Sequence, residues 1–134
     1  GRLQILGKEP WVLVDGAHNA YSIQKLGQAI KEYFKPDSVK LILGFGNDKD
    51  IGGMVREAVR YADDIFLVAS RHPKAVKGAV LAAEFEKNGV TPRVALSVKD
   101  AIAMAEAEAG PNDVICAAGS IFVIAEVMEW AGVG

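Results

Sequence analysis

A three-layer α/β sandwich is the fold this sequence predicts, and three observations predict it. Short apolar runs of strand length recur along the chain, such as Trp11-Val12-Leu13-Val14 and Val39-Lys40-Leu41-Ile42-Leu43. Between them lie stretches whose apolar residues return at three- and four-residue steps, the period of a helix buried on one face. Small and turn-forming residues separate the two kinds of segment, as in Asp15-Gly16-Ala17-His18-Asn19. Strands that alternate with helices imply parallel strands joined by right-handed crossovers, with helices on both faces of one sheet. The expectation is roughly five helices around a mostly parallel sheet of about six strands.

Taken in order, Leu3-Gln4-Ile5-Leu6 followed by Gly7-Lys8-Glu9-Pro10 reads as a short edge strand and a turn, hairpinned antiparallel onto the next strand. Trp11 to Val14 is wholly apolar, the pattern of a strand buried on both faces. Asn19 suits a helix N-cap. After it Ile23, Leu26, Ile30, Tyr33 and Phe34 predict one core-facing stripe, ended by Pro36-Asp37. Val39 to Leu43 is the next strand, and Met54, Val55, Ala58 and Val59 mark the inner face of the helix after it. A strand over 65–69 leads to a helix over 75–87, which Asn88-Gly89 stops. A short strand over 93–96 precedes Ser97, an N-cap with Asp100 three residues on. Its Ala-rich helix stops at Gly110-Pro111. The last strand covers 114–117, and Ala118-Gly119-Ser120 turns into a helix whose stripe would be Ile121, Ile124, Val127 and Met128.

Bulk properties narrow the function. The chain has 134 residues, 51% hydrophobic and 24% charged, which suits one globular domain with a real core. A net charge of −2 gives no electrostatic footprint for nucleic acid or an anionic membrane. No apolar run approaches the roughly 20 residues that span a bilayer. One cysteine, Cys116, excludes an internal disulfide and a cysteine-cluster metal site, and reads as a small buried hydrophobe. These features predict a cytoplasmic protein. The opening Gly1-Arg2, already in a strand-like run and without methionine, predicts a domain cut from a longer chain.

Ligands of open parallel sheets bind off the carboxyl ends of the strands. Four turns predicted on that edge are chemically loaded: 15–19, 44–50, 70–74 and 118–120. The return turns hold ordinary breakers. Asp15 can accept hydrogen bonds from a ribose diol, or simply cap its turn. His18 can serve as a general base or an anion contact, or bond to backbone. Gly44-Phe45-Gly46 begins like a dinucleotide fingerprint, but Lys49 stands where the third glycine belongs. Lys49, between Asp48 and Asp50, is either a surface ion pair or an attractor of an anionic substrate. Arg71-His72-Pro73-Lys74 reads as a solvated basic turn. Ser120 opens a helix and can cap it or add a bond to a carboxylate. A Ser120-His18-Asp15 hydrolase triad is disfavoured, because no Gly-x-Ser-x-Gly elbow occurs. His18 and His72 have no metal-ligand spacing. No phosphate loop of the form Gly-x-x-x-x-Gly-Lys-[Ser/Thr] occurs either, so the chain offers half of a nucleotide site at most.

Gly1-Arg2 before a short strand, Asp15-Gly16-Ala17-His18-Asn19, Asp48-Lys49-Asp50-Ile51, Pro73-Lys74-Ala75 and Gly119-Ser120-Ile121-Phe122 together resemble the C-terminal domain of folylpolyglutamate synthase/dihydrofolate synthase, a member of the Mur ligase superfamily. The resemblance runs over essentially the whole chain. It implies a Rossmann-like lid, residues 1–134, that pairs with an N-terminal P-loop ATPase domain outside this chain. ATP with Mg2+, the metal held mainly by that other domain, would convert a folate or dihydropteroate carboxylate to an acyl phosphate. L-glutamate would then attack it. By position, Asp15, His18 and Arg2 would contact nucleotide, His18 would carry the catalytic contact, and Ser120, His18 and Lys49 would hold glutamate. The fragment alone would be inactive, and the parent enzyme monomeric. Two positions depart from the family's usual pattern: Ala20 replaces a common Pro, and Ala118 a common Thr. The alternatives are the C-terminal domain of a peptidoglycan Mur ligase and a free-standing nucleotide-binding module.

Overall fold

The computed structural model describes residues 3–46, 50–68 and 77–132. Among them are six strands and five helices in the order β1 (Gln4–Gly7), β2 (Trp11–Val14), α1 (Ala20–Tyr33), β3 (Val39–Leu43), α2 (Ile51–Ala58), β4 (Asp64–Leu67), α3 (Gly78–Lys87), β5 (Arg93–Val94), α4 (Val98–Glu108), β6 (Val114–Ala118) and α5 (Ile121–Trp130). They form one sheet, ordered β1-β2-β6-β3-β4-β5. Only β1 is antiparallel to its neighbour; the pairs β2–β6, β6–β3, β3–β4 and β4–β5 are parallel. The predicted three-layer sandwich, with its antiparallel N-terminal edge strand, is the observed fold.

The layers follow from strand alternation. Successive side chains of a strand point to opposite faces. Leu13, Leu41, Leu43, Leu67 and Cys116 therefore enter one core with Ile23, Ile30 and Met54 of the first two helices and Leu81 and Phe85 of α3. Val14, Ile42, Phe66, Ile115 and Ala117 enter the other, under Ile102 of α4 and Val123 and Val127 of α5. Burying each large aliphatic side chain contributes about 1.5–3 kcal/mol.

Handedness decides which helix covers which face. The chain moves outward along β2, β3, β4 and β5, so right-handed crossovers put α1, α2 and α3 on one side. It then returns from β5 to β6, and α4 falls on the opposite side, joined there by α5. The sequence reverses direction at β6, which is inserted between β2 and β3. That insertion makes the carboxyl ends of β2, β6 and β3 the switch point of the sheet, where ligands of such sheets bind.

The structure corrects details of the elements. Tyr33 is 74% exposed rather than part of the α1 stripe. Phe34, one residue further round, takes the inward position and meets Trp11 edge-on at 4.9 Å. Val59 lies just past α2 as its C-cap. Lys77 is extended and precedes α3, so that helix opens later than Ala75. The short strand ends at Val94, because the chain must leave the sheet for Ser97 to cap α4. Ile121 is 72% exposed; Val127 is buried as predicted, joined by Val123, while Ile124 and Met128 pack against the core half-buried. That helix is apolar nearly all round, so periodicity alone could not choose its buried stripe.

The return turns at the far edge are tied by carboxylates. Asp113 accepts from Gly110 N (2.8 Å) and Ser38 N (3.1 Å), joining the turn before β6 to the start of β3. The Gly110 bond, helped by Ser38, holds its carboxyl below the usual carboxylate range. A group with a depressed folded pKa stabilises the fold above its unfolded value, about 3.9, and that stability is lost as pH falls through the folded value. Asp113→Asn keeps one oxygen and loses one of the two bonds. It should cost about 1–2 kcal/mol at neutral pH and flatten the acid limb of stability against pH. Urea titrations from pH 2 to 7 check this; an unchanged acid limb would remove Asp113 from the linkage.

Candidate functional site

Three of the four loaded turns meet at the switch point, with β6 in the middle. Asp15 N donates to Ala117 O (3.1 Å), extending the β2–β6 ladder past the strand end. Gly119 N donates to Ala17 O (2.8 Å), so the turns after β2 and β6 are bonded to each other. The turn after β3 closes from the other side. A Cβ on Gly119 would lie 2.5 Å from Gly44 O, and a Cβ on Gly44 would lie 2.6 Å from Val68 O. Gly44 is thus a close-packing glycine in the sheet's upper edge, not the opening of a phosphate cradle. Phe45 sits beneath, almost fully buried.

Asp15 is 8% exposed at the end of β2. Its Oδ1 accepts from Ala17 N at 2.7 Å, an Asx turn that bends the strand toward α1. Among the described residues the second oxygen, Oδ2, has no hydrogen-bond partner. Asp15 also lines a cavity of about 340 Å³ with Leu3, Tyr21 and Lys25. The turn reading and the ligand reading of this residue are therefore compatible, one oxygen serving each. Beneath it, burial first and then the charge of Asp15 push the Cys116 thiol up, which leaves that cysteine an inert core residue.

His18 is exposed. Its Nδ1 lies 2.8 Å from Gly16 O, so Nδ1 carries the proton and donates. That bond fixes the tautomer and turns Nε2 outward as the reactive nitrogen. Asn19 caps α1 as predicted, accepting from Ser22 N at 2.7 Å. Ser22 completes a capping box that sequence reading missed. Its Oγ accepts from His18 N (2.9 Å) and Asn19 N (3.0 Å) and so orients the His18 backbone. The signal was available as a cap residue followed three positions later by a hydrogen-bonding side chain. Ala20 fills the first helical position without disturbing this box.

Ser120 is 4% exposed and caps α5, its Oγ accepting from Phe122 N (3.0 Å) and Val123 N (3.4 Å). Capping uses its lone pairs, so the hydroxyl proton is what it can offer a ligand. Ala118 is fully buried in the core under the first three helices, so a hydroxyl there would face inward. Asp50 caps α2 by accepting from Gly53 N at 3.1 Å, which accounts for one of the two acids flanking Lys49. The turn juxtaposition brings Asp15, His18 and Ser120 to one place. Arg2, Lys49 and the turn 70–74 lie outside the described residues. Among the described residues no group of three or more His, Cys, Asp or Glu side chains could hold a metal ion. No helix among them is long and apolar enough to cross a membrane.

The family model described as Mur ligase, glutamate ligase domain matches residues 1–121. A Halobacterium salinarum protein named as a probable bifunctional folylpolyglutamate synthase/dihydropteroate synthase is 35% identical over 127 residues, 94% of this chain and 15% of that protein. Mycobacterium tuberculosis folylpolyglutamate synthase complexed with ADP has the same fold, at TM-score 0.91 and 22% identity, over 98% of this chain and 32% of that one. Escherichia coli FolC in complex with DHPP and ADP matches at TM-score 0.89 and 28% identity, over 98% of this chain and 31% of that one. The chain spans 15% to 32% of the length of these proteins.

Proposed function

This chain belongs to the Mur ligase glutamate ligase domain family, and from that premise we propose that it is the C-terminal lid of an ATP-dependent amide ligase adding L-glutamate to a folate or dihydropteroate carboxylate. The observation that carries the reading is the pairing of the Asp15–His18 turn with the Gly119–Ser120 turn at the switch point, where Asp15 lines a cavity and its Oδ2 has no hydrogen-bond partner among the described residues. The relatives named as folylpolyglutamate synthases, and the ADP in two solved neighbours, support a nucleotide there. The parent enzyme would be monomeric and cytoplasmic, with an N-terminal P-loop ATPase domain facing this edge and holding most of the Mg2+ contacts.

In this reaction a carboxylate oxygen takes the γ-phosphoryl group of ATP, ADP leaves, and the glutamate nitrogen then displaces phosphate from the acyl carbon. The residues of this chain hold and orient. Asp15 Oδ2 accepts from the ribose hydroxyls, while Oδ1 stays on Ala17 N and keeps the turn rigid. His18 lies near the nucleotide and turns its Nε2 lone pair to the ammonium group of the incoming glutamate, taking the proton that group loses; this is the catalytic contact of this domain. Ser120 donates its hydroxyl proton to a glutamate carboxylate, beside the N-terminus of α5. Arg2 contacts nucleotide at the domain junction, and Lys49 draws in the net-anionic amino acid. Each contact strengthens when lid closure excludes water. A domain holding one wall of such a cleft is inactive by itself.

A glutamate-addition assay of the full-length protein, with dihydropteroate and a reduced folate as rival acceptors, tests the proposal. ATP-dependent incorporation with at least one acceptor is expected, and none from the 134-residue chain alone. Failure with both acceptors, or turnover by the isolated chain, would overturn it.

A further inference from the structure

Two residues of the cavity beside Asp15, Tyr21 and Lys25, are left unused by the ligase reading. Leu3, Leu26 and Ala29 give it an apolar floor, and Asp15, Tyr21 and Lys25 give it polar walls. Its volume of about 340 Å³ is at the small end of ligand pockets. Tyr21 stands in the first turn of α1, two residues after the cap, and is 67% exposed. Its ring thus combines a large apolar face with a place on the cavity wall. Lys25, one turn further along α1, holds its Nζ 5.3 Å from the ring centroid, a cation–π contact that steadies one face of the ring. At 67% exposure the residue leaves ring surface accessible to a ligand. Asp15, only 8% exposed, carries an oxygen without a partner among the described residues and lines the same cavity.

A carboxylate acceptor for a diol beside an aromatic platform over an apolar floor is the chemistry of a nucleoside. We infer that Tyr21 is the stacking platform for the base of the nucleotide whose ribose meets Asp15, with Lys25 holding the ring in place. The inference rests on the nucleotide-lid reading above and adds a residue and a selectivity to it. Stacking is tolerant of base identity, because every base has a π face. This wall therefore adds affinity for the nucleoside half and does not choose adenine over guanine.

The test is equilibrium binding by calorimetry to the full-length protein, with ADP, GDP and inorganic tripolyphosphate as probes. Tyr21→Ala should weaken ADP and GDP by a similar factor, about ten-fold or more. Tyr21→Phe should restore wild-type binding, since the ring and not the hydroxyl is used. Tripolyphosphate, which has no base, should bind both variants as it binds the wild type. Unchanged ADP binding in Tyr21→Ala overturns the inference, as does an equal loss for tripolyphosphate, which would mark a merely structural role. Wild-type protein that binds no ADP overturns it too. The glutamate-addition assay separates the two readings. Wild-type ligation with an ADP affinity indifferent to Tyr21 sinks this inference alone. A ring-dependent ADP affinity without glutamate addition sinks the ligase reading and leaves this one standing.

Discussion

Asp15→Asn in the full-length enzyme is expected to lower kcat/KM for ATP by about 10- to 100-fold, through KM, with little change in melting temperature. The amide oxygen can still accept from Ala17 N, where Oδ1 now bonds at 2.7 Å, so the turn survives. What disappears is the charged acceptor at Oδ2, and a hydrogen bond to a charged group is worth about 1.5–3 kcal/mol. Asp15→Ala is the less clean variant, because it also removes the Asx bond and adds a folding cost of about 1 kcal/mol. His18→Ala should act differently. Its ring is exposed and bonds only within its own turn, so the fold loses little. Loss of a preorganised polar contact to developing charge costs about 10²-fold in kcat. Steady-state kinetics with ATP and glutamate varied separately distinguish the two effects. Wild-type constants in both variants would remove the 15–19 turn from the site.

Gly119→Ala is expected to be the most damaging small substitution at the site, by roughly 2–6 kcal/mol from backbone strain and overpacking together. Gly119 has φ +108°, a conformation that residues with a Cβ rarely adopt. The added carbon would lie 2.5 Å from Gly44 O and 2.5 Å from a ring carbon of Phe45. Neither neighbour can yield: one is backbone of the adjoining turn, the other a ring 1% exposed. Gly89 provides the control. It also has a positive φ, +77°, but nothing lies within 4 Å of the place a Cβ would take. Gly89→Ala should therefore cost only about 1 kcal/mol, the strain without the clash. Denaturant midpoints of the two variants against the parent chain decide it. Equal costs would mean that the three turns are not packed as tightly as their geometry requires.

Local chemistry determined the elements of this protein. Apolar runs such as Trp11 to Val14 could only be strands buried on both faces, and Asn19, Ser97 and Ser120 announce helix starts because their side chains satisfy backbone N–H groups. Alternation of strand and helix, with the handedness of crossovers, then implied the parallel sheet and the edge on which Asp15, His18 and Ser120 stand. The family resemblance was carried by those same turns.

Tertiary structure alone decided the rest, because it depends on which strands become neighbours. Nothing local says that β6, the last strand, inserts between β2 and β3, yet that insertion bonds Gly119 N to Ala17 O and gathers three turns into one site. Nor does periodicity say that Val123 and not Ile121 faces inward on a helix apolar nearly all round. That Asp15 keeps one oxygen on Ala17 N and also lines a cavity appears only once α1 has packed and placed Tyr21 and Lys25 alongside. Sequence determines what each segment is able to do; burial and neighbouring backbone determine which of its atoms are left free to do it.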